Sequence, residues 1–198
     1  MTRAQHDHEL DLDASLAFIN TLEHSDAGDR EDLPTLDSAL DWLVDHGVMH
    51  SEAAGTLSGR KDTDRCLGEV IALRAALREV VDGAVAGRPP AADAMAIVNG
   101  ALESAPPLEL VATSDGVVLR HRHGADPLVE ALASVAEPVA QALADGRPDR
   151  LRICSNDSCR WVFYDTSPTG RRRWCDMSTC GNRAKAARHR ARRRAQPG

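Results

Sequence analysis

Four of the five cysteines in this 198-residue chain lie within one short stretch near its C-terminus. Cys154 and Cys159 form one pair, Cys175 and Cys180 form another, and fifteen residues separate the two pairs. Such pairs can surround one zinc ion when the segment between them folds back, because structural zinc sites are tetrahedral and favour thiolate ligands. An all-cysteine site leaves no open position for water, so the spacing predicts a structural Zn²⁺ rather than a catalytic one.

Other uses of these cysteines are less favoured. An iron–sulfur cluster is one alternative, although the loops lack the tight cysteine spacing typical of such clusters. A redox pair, or a set of unrelated buried thiols, is another. The fifth cysteine, Cys66, stands alone among helix-forming residues, which predicts a small buried apolar side chain.

Basic residues lead into the second cysteine pair and follow it to the end of the chain. Their density predicts a surface for phosphate, formed by Arg171, Arg172, Arg173, Arg183, Lys185, Arg188, Arg190, Arg192, Arg193 and Arg194. On a helix after Cys180, one face carries only alanines and the basic residues cover the rest. Because like charges at helical spacing repel, we expect this helix to be marginally stable alone and to be stabilised when it binds a polyanion. A frayed, solubilising tail is the alternative.

The three consecutive arginines precede a tryptophan. On the limb of a hairpin, Arg171 and Arg173 share one face and Arg172 takes the other. Asp165, across the turn, is a candidate partner for one of them. Trp174 is predicted to form the small core of the module, with a platform for base stacking as the alternative.

The net charge of −6 hides a division between two parts of the chain. Residues 147–198 hold 14 Lys and Arg against 4 Asp and Glu, a net charge of +10, whereas residues 1–146 have a net charge of −16. This asymmetry predicts a basic module that meets a polyanion, attached to an acidic body.

Several classes of protein are not supported by the sequence. No P-loop, G-x-S-x-G or H-E-x-x-H motif indicates an enzyme, and surface positions are the better interpretation of His6, His8, His121 and His123. No stretch reaches the roughly 18 apolar residues of a membrane span, and the acidic N-terminus is unlike a signal peptide. We therefore expect a cytoplasmic protein that contacts no membrane and whose thiols stay reduced.

Apolar spacing and turn residues predict a body that is mainly helical. Its expected helices cover residues 12–24, 34–47, 62–87, 92–102 and 126–146. Residues 51–60 are predicted to be a connection, and residues 108–113 and 117–122 a β-hairpin.

The C-terminal part is predicted to be a zinc-ribbon-like treble of short strands with a basic helix, in which Ser178 caps the helix. The overall class is thus mainly α with a small hairpin in the body, α+β overall. The charge switch divides the chain into a helical domain, residues 1–147, and a zinc module, residues 148–198.

The residues Cys180-Gly181-Asn182-Arg183 spell the motif of the CGNR zinc finger, and residues 163–175 resemble that finger as well. The body resembles the ABATE domain that usually precedes it, through residues 17–21 and 33–35. The resemblance implies that Cys154, Cys159, Cys175 and Cys180 are the metal ligands. It also implies a bacterial transcription regulator related to stress, or an RNA binder.

These observations predict a zinc-dependent nucleic-acid-binding protein, with DNA favoured over RNA as the partner. RNA binding would use Trp161, Phe163 and Tyr164 to stack bases, so their exposure favours RNA, whereas their burial favours DNA or plain phosphate binding. Asn182 could read adenine or make a structural hydrogen bond. A protein–protein adaptor that uses the basic helix is the remaining alternative. A homodimer or a second DNA contact is expected if the protein reads a specific DNA site, because one helix gives limited specificity.

Overall fold

The computed structural model describes residues 12–114, 116–122, 124, 126–144 and 148–195. The α-helices of this part of the chain are α1 (Leu12–Ile19), α2 (Leu36–Asp45), α3 (Ser51–Ser58), α4 (Thr63–Ala86), α5 (Ala92–Glu103), α6 (Pro127–Ala144) and α7 (Asn182–Ala195). The strands are β1 (Leu22–Glu23), β2 (Arg30–Glu31), β3 (Leu108–Thr113), β4 (Gly116–His121), β5 (Leu151–Ile153) and β6 (Val162–Tyr164). They pair consecutively into three antiparallel two-stranded sheets. The predicted α+β class, mainly helical, is confirmed.

The long helix α4 is the centre of the body, and α1, α2, α5 and α6 pack around it. Its apolar residues Val70, Leu77 and Val81 are buried, although Val85 near its end is exposed. The helix ends at Gly87, which has a φ of 65° as the left-handed C-cap requires. Cys66 lies buried in this core, as predicted for a small apolar side chain.

Two expectations for the body were wrong. Helix α1 ends at Ile19 instead of continuing to residue 24, because the chain turns there to pair β1 with β2. Residues 51–58, predicted as a connection, form the helix α3. That helix is stabilised by tertiary packing, since Leu57 is buried and Ala53 and Ala54 pack against the core.

Other predicted elements are confirmed. Thr35 and Ser38 form a capping box at the start of α2. Asp126 accepts a hydrogen bond from the backbone N–H of Leu128 and begins α6. The hairpin of β3 and β4 forms with Leu110 opposite Leu119. The predicted end of α6 near residue 146 lies outside the described residues.

The sheet of β5 and β6 joins the C-terminal module to the body. Leu151 and Val162 are buried in the same core as α1, α4 and α6. The side chain of Asn20, at the end of α1, donates a hydrogen bond to the Val162 carbonyl and accepts one from the Val162 N–H, both at 2.9 Å. The zinc module therefore starts on a sheet that is packed into the helical body.

No helix in the described part of the chain combines the length and the apolar character needed to cross a lipid bilayer.

Candidate metal centre and basic helix

The four cysteines predicted as ligands lie together in the structure. Their sulfur atoms are all within 4.8 Å of one another, with 3.7 Å between Cys159 and Cys175 and 3.9 Å between Cys175 and Cys180. Zinc–sulfur bonds of about 2.3 Å in a tetrahedron place the sulfurs about 3.8 Å apart. All four thiols are free of disulfides. The arrangement fits one structural Zn²⁺ whose four coordination positions are all taken by cysteine sulfurs.

Backbone hydrogen bonds shape the loop between the first two ligands. The Cys154 N–H donates to the Trp161 carbonyl at 2.8 Å, which closes the end of the β5–β6 hairpin. The Asn156 carbonyl accepts from the N–H groups of Cys159 and Arg160. Arg160 completes the tight turn with a φ of 54°. The Asn156 side-chain amide also lies 3.5 Å from the Cys180 sulfur, so this loop contacts ligands of both pairs.

The second ligand pair is held by a π-helical turn, Met177–Gly181, that continues directly into α7. Its N-cap is Asp176, whose carboxylate accepts from the backbone N–H groups of Ser178 and Thr179; the prediction that Ser178 is the cap was wrong. A Cβ at the buried residue Gly181 would lie 2.5 Å from the Met177 sulfur, so a larger residue there would require the exposed Met177 side chain to move. Cys180 therefore fixes the start of α7 relative to the metal site.

The cysteine thiols of the site differ in how readily they ionise. Burial raises the pKa of the Cys159 thiol to about 11, and burial also raises the pKa of Cys175. For Cys180 the effect of burial is outweighed by hydrogen bonds from Asn156 and neighbouring thiols, and its pKa is lowered. Since zinc binds thiolates, the ion stabilises a set of negative charges that this environment otherwise disfavours.

A buried carboxylate organises the segment between the two ligand pairs. Asp165 is fully buried and accepts backbone hydrogen bonds from Ser167 and Arg172. Although burial opposes ionisation, these hydrogen bonds and the nearby Arg152 guanidinium lower the pKa of Asp165 to about 2. The expected pairing of Asp165 with an arginine side chain of residues 171–173 was wrong. Arg172 contacts Asp165 through its backbone N–H, and the guanidinium near the carboxylate is that of Arg152, at 3.6 Å.

The three consecutive arginines have different surroundings. Arg171 and Arg173 are exposed, and the Arg173 guanidinium lies 5.2 Å from the centre of the Trp174 ring. Arg172 is half-buried, lies 5.0 Å over the Phe163 ring and donates to the Cys175 carbonyl. Residues 171–174 return to the ligands without forming a strand. Arg171 and Arg173 are therefore the more available for a partner.

Helix α7 is exposed along its length. Among the α7 side chains that the structure describes, only Ala184 is half-buried and all others are exposed. The exposed basic residues are Arg183, Lys185, Arg188, Arg190, Arg192 and Arg193; the side chain of Arg194 lies outside the described residues. Within this part of the chain α7 packs mainly on the π-helical turn. The Asn182 amide donates to the Ser178 carbonyl at 2.9 Å, so it makes the structural hydrogen bond.

The aromatic residues of the module are mostly committed to packing. Phe163 and Trp174 pack around the cysteines, and Tyr164 packs against the body core. Trp161 is 40% exposed. A base-stacking surface formed by Trp161, Phe163 and Tyr164 together is thus not present.

Sequence reasoning missed two polar contacts that support the site. One is the pair of hydrogen bonds between Asn20 and Val162. The other is the nearly buried Arg74, which pairs with Glu31 and donates to the Thr21 hydroxyl. A short polar residue at the end of a helix and an arginine within an apolar stripe were the available signals.

Among the described residues, the four cysteines are the cluster of His, Cys, Asp or Glu with ligand atoms close enough to hold a metal ion. His6, His8 and His123 lie outside the described residues, as does the side chain of His121.

Two family models match this chain. The ABATE family model, described as "Putative stress-induced transcription regulator", matches residues 12–146, and the model of the CGNR zinc finger matches residues 150–193. Neither description is that of an enzyme. A search of the curated proteins found no match.

Proposed function

Because this chain belongs to the ABATE family and carries a CGNR zinc finger, we propose that it is a zinc-dependent DNA-binding transcription regulator. In this proposal Zn²⁺ is structural. It supplies the free energy that holds the small module together, and the module in turn fixes the start of α7. The helical body then carries the regulatory role described for the family.

The observation that carries the proposal is the exposure of α7. A helix with this many arginines, lying on the protein surface and anchored by Cys180 at one end, has its charge available to a polyanion. The acidic body confines the attraction to this end of the chain. Arg171 and Arg173 extend the basic surface next to the start of the helix.

Arginine suits this role because its planar guanidinium donates two parallel hydrogen bonds to a phosphate or to a guanine edge. The face of Ala184 and Ala187 has no long side chains, so the backbone of α7 can approach a groove closely. We infer that the arginines on either side of this face contact the two phosphate strands. Arg172 belongs to the proposed surface as well, chiefly through its packing on Phe163.

DNA is favoured over single-stranded RNA by the packing of the aromatic residues. Phe163 is 9% exposed and Tyr164 is half-buried, so neither offers a free ring face for an unpaired base. Trp161 is the aromatic residue that favours the RNA alternative. The free thiol ligands need a reducing compartment, which supports a cytoplasmic location.

Binding is tested by fluorescence anisotropy with duplex DNA, single-stranded RNA and an acidic peptide as competitors. With about five phosphate contacts, we expect a plot of log affinity for duplex DNA against log salt to have a slope near −4.5. The double substitution Arg188→Gln with Arg192→Gln removes two contacts and should make the slope shallower by about 1.8.

Arg65→Gln with Arg88→Gln is the matched control, since it changes the net charge equally but on the body. Equal losses in the two variants, or affinity independent of salt, would contradict phosphate binding by α7. Preferential competition by RNA or by the acidic peptide would select one of the alternatives. Crosslinking across the genome and transcriptome extends the test to the cell.

A further inference from the structure

The hairpin of β3 and β4 presents its apolar face outwards. Side chains alternate between the two faces of a strand, so Leu108, Leu110 and Ala112 of β3 lie on the same face as their partners in β4. Those partners include Leu119, opposite Leu110, and Val117, opposite Ala112. We call these five residues the hairpin face. Every one of them is apolar and exposed.

The degree of exposure is unusual for such residues. Leu110 is 74% exposed, Val117 69%, Leu108 55% and Leu119 45%. A two-stranded hairpin is marginally stable in water by itself, and in the described residues this one packs mainly on itself. Contiguous exposed apolar surface of this kind marks an interaction site.

The ion pair of the hairpin lies on its opposite face. Glu109 and Arg120 are register partners there, with 3.1 Å between the Arg120 Nε and a Glu109 carboxylate oxygen. Glu109 and Val111 of that face are half-buried. His121, the register partner of Leu108, shares this side of the sheet at its end, and its side chain lies outside the described residues. The five residues of the hairpin face themselves offer no charge to an acidic or basic partner, and they are complementary to an equally uncharged apolar surface.

We propose that the hairpin face is a dimer interface that pairs with the same face of a second copy of this chain. Two identical apolar faces related by a two-fold axis cover each other without leaving a charge unpaired. Two such sheets would pack face to face at about 10 Å. This inference does not depend on nucleic-acid binding, although a dimer would present two copies of α7 to two half-sites.

The size of the face indicates a weak dimer. Strands of six residues are about 20 Å long, so the two strands with their side chains cover roughly 300–400 Å² per copy. That is about half of the roughly 800 Å² that each partner contributes to a standard interface. We therefore expect a weak dimer whose population rises with protein concentration.

The acidic bodies give dimerisation a characteristic dependence on salt. Each carries a net charge of −16 over residues 1–146, and the whole chain has a net charge of −6, so two copies that meet through their bodies repel each other at low salt. Salt screens this repulsion and leaves apolar burial intact, so dimerisation should strengthen as salt increases. Binding of nucleic acid has the opposite salt dependence.

The test is sedimentation velocity of the intact, zinc-loaded protein without nucleic acid, over a range of concentrations. Val117→Lys places a charge on the hairpin face and is expected to weaken dimerisation at least tenfold. Val118→Lys is the matched control, because Val118 is the next residue, is also exposed, and lies on the opposite face. Leu110→Lys is a second variant of the hairpin face, and circular dichroism verifies that each variant is folded.

A concentration-dependent dimer that Val117→Lys and Leu110→Lys dissociate, while Val118→Lys leaves it intact, supports the proposal. A wild-type protein that stays monomeric up to about 1 mM overturns it. So does a dimer that Val117→Lys leaves unchanged, or one that the two valine substitutions weaken equally.

Discussion

Replacement of Asn20 by alanine tests how firmly the zinc module is attached to the body. Asn20 is 6% exposed and lies at the end of α1, 142 positions before its partner Val162. Its side chain satisfies both backbone groups of Val162 at 2.9 Å. Asn20→Ala removes both hydrogen bonds and leaves a donor and an acceptor at the buried face of β6.

The magnitude follows from the cost of unpaired polar groups. Each buried group that loses its partner costs about 1–3 kcal/mol, and entry of water into the small space left by the amide reduces the sum. We therefore expect the free energy of unfolding to fall by about 2–4 kcal/mol. Amide exchange at Val162 should accelerate, because its N–H loses its acceptor.

Urea denaturation of the zinc-loaded protein measures this change through tryptophan fluorescence. Trp42 reports on the body, whereas Trp161 and Trp174 report on the module. Asn99→Ala is the control, since Asn99 is exposed on α5 and its replacement should change stability by less than about 0.5 kcal/mol. A loss below about 1 kcal/mol for Asn20→Ala, or one equal to that of Asn99→Ala, would show that these hydrogen bonds do not hold the module in place.

Two further substitutions test the metal site and the buried ion pair. Cys159→Ser removes one of four ligands, so elemental analysis should find well under one zinc per chain, and stoichiometric zinc would contradict the ligand assignment. Glu31→Ala should cost about 2 kcal/mol, because it leaves the buried Arg74 guanidinium without its carboxylate, whereas Glu23→Ala at an exposed pair should cost under about 1 kcal/mol. The hydrogen bond from Arg74 lowers the pKa of Glu31 below its ordinary value of 4.5, so its contribution is present above that pH and is lost as the pH falls through the lowered pKa. The free energy of unfolding, measured by denaturation from pH 3 to pH 7, should therefore vary less with pH for Glu31→Ala than for the wild type. An unchanged dependence on pH would count against the pair.

Features with a local cause were predictable from the sequence. The spacing of four cysteines predicted a cluster whose sulfurs lie within 4.8 Å, because two short loops can bring their own ligands together. Helix α4 was predictable from the helical spacing of its apolar residues and from Gly87 at its end. The hairpin of β3 and β4 was predictable because the spacing of apolar residues changes there from that of a helix to that of a strand. In each case the signal and the structure it specifies lie within a few residues of each other.

Features that depend on distant contacts were not predictable. Helix α3 forms from a segment rich in Gly, Ser and Ala because Leu57 finds a place in the core. The end of α1 is set by the pairing of β1 with β2, and Arg74 tolerates burial because Glu31 reaches it from β2. Periodicity within a segment contains no information about which partner a side chain will meet across the fold.

The alternation of side chains along β6 is the feature that joins the two parts of the molecule. Val162 and Tyr164 pack with the body core, whereas Phe163, between them, packs with Cys154 and Cys180. In β5 the same alternation sends Leu151 and Ile153 to the body. The helices therefore cover one face of both short strands. On the other face, β6 contacts the metal site through Phe163, and β5 contributes Arg152, which donates to the Gly170 carbonyl. Three-residue strands are too short to be stable alone. This sheet is therefore stabilised by the body and by the zinc ion together. The position of α7, which begins at the last ligand, is thus fixed relative to the helical body rather than to the zinc module alone.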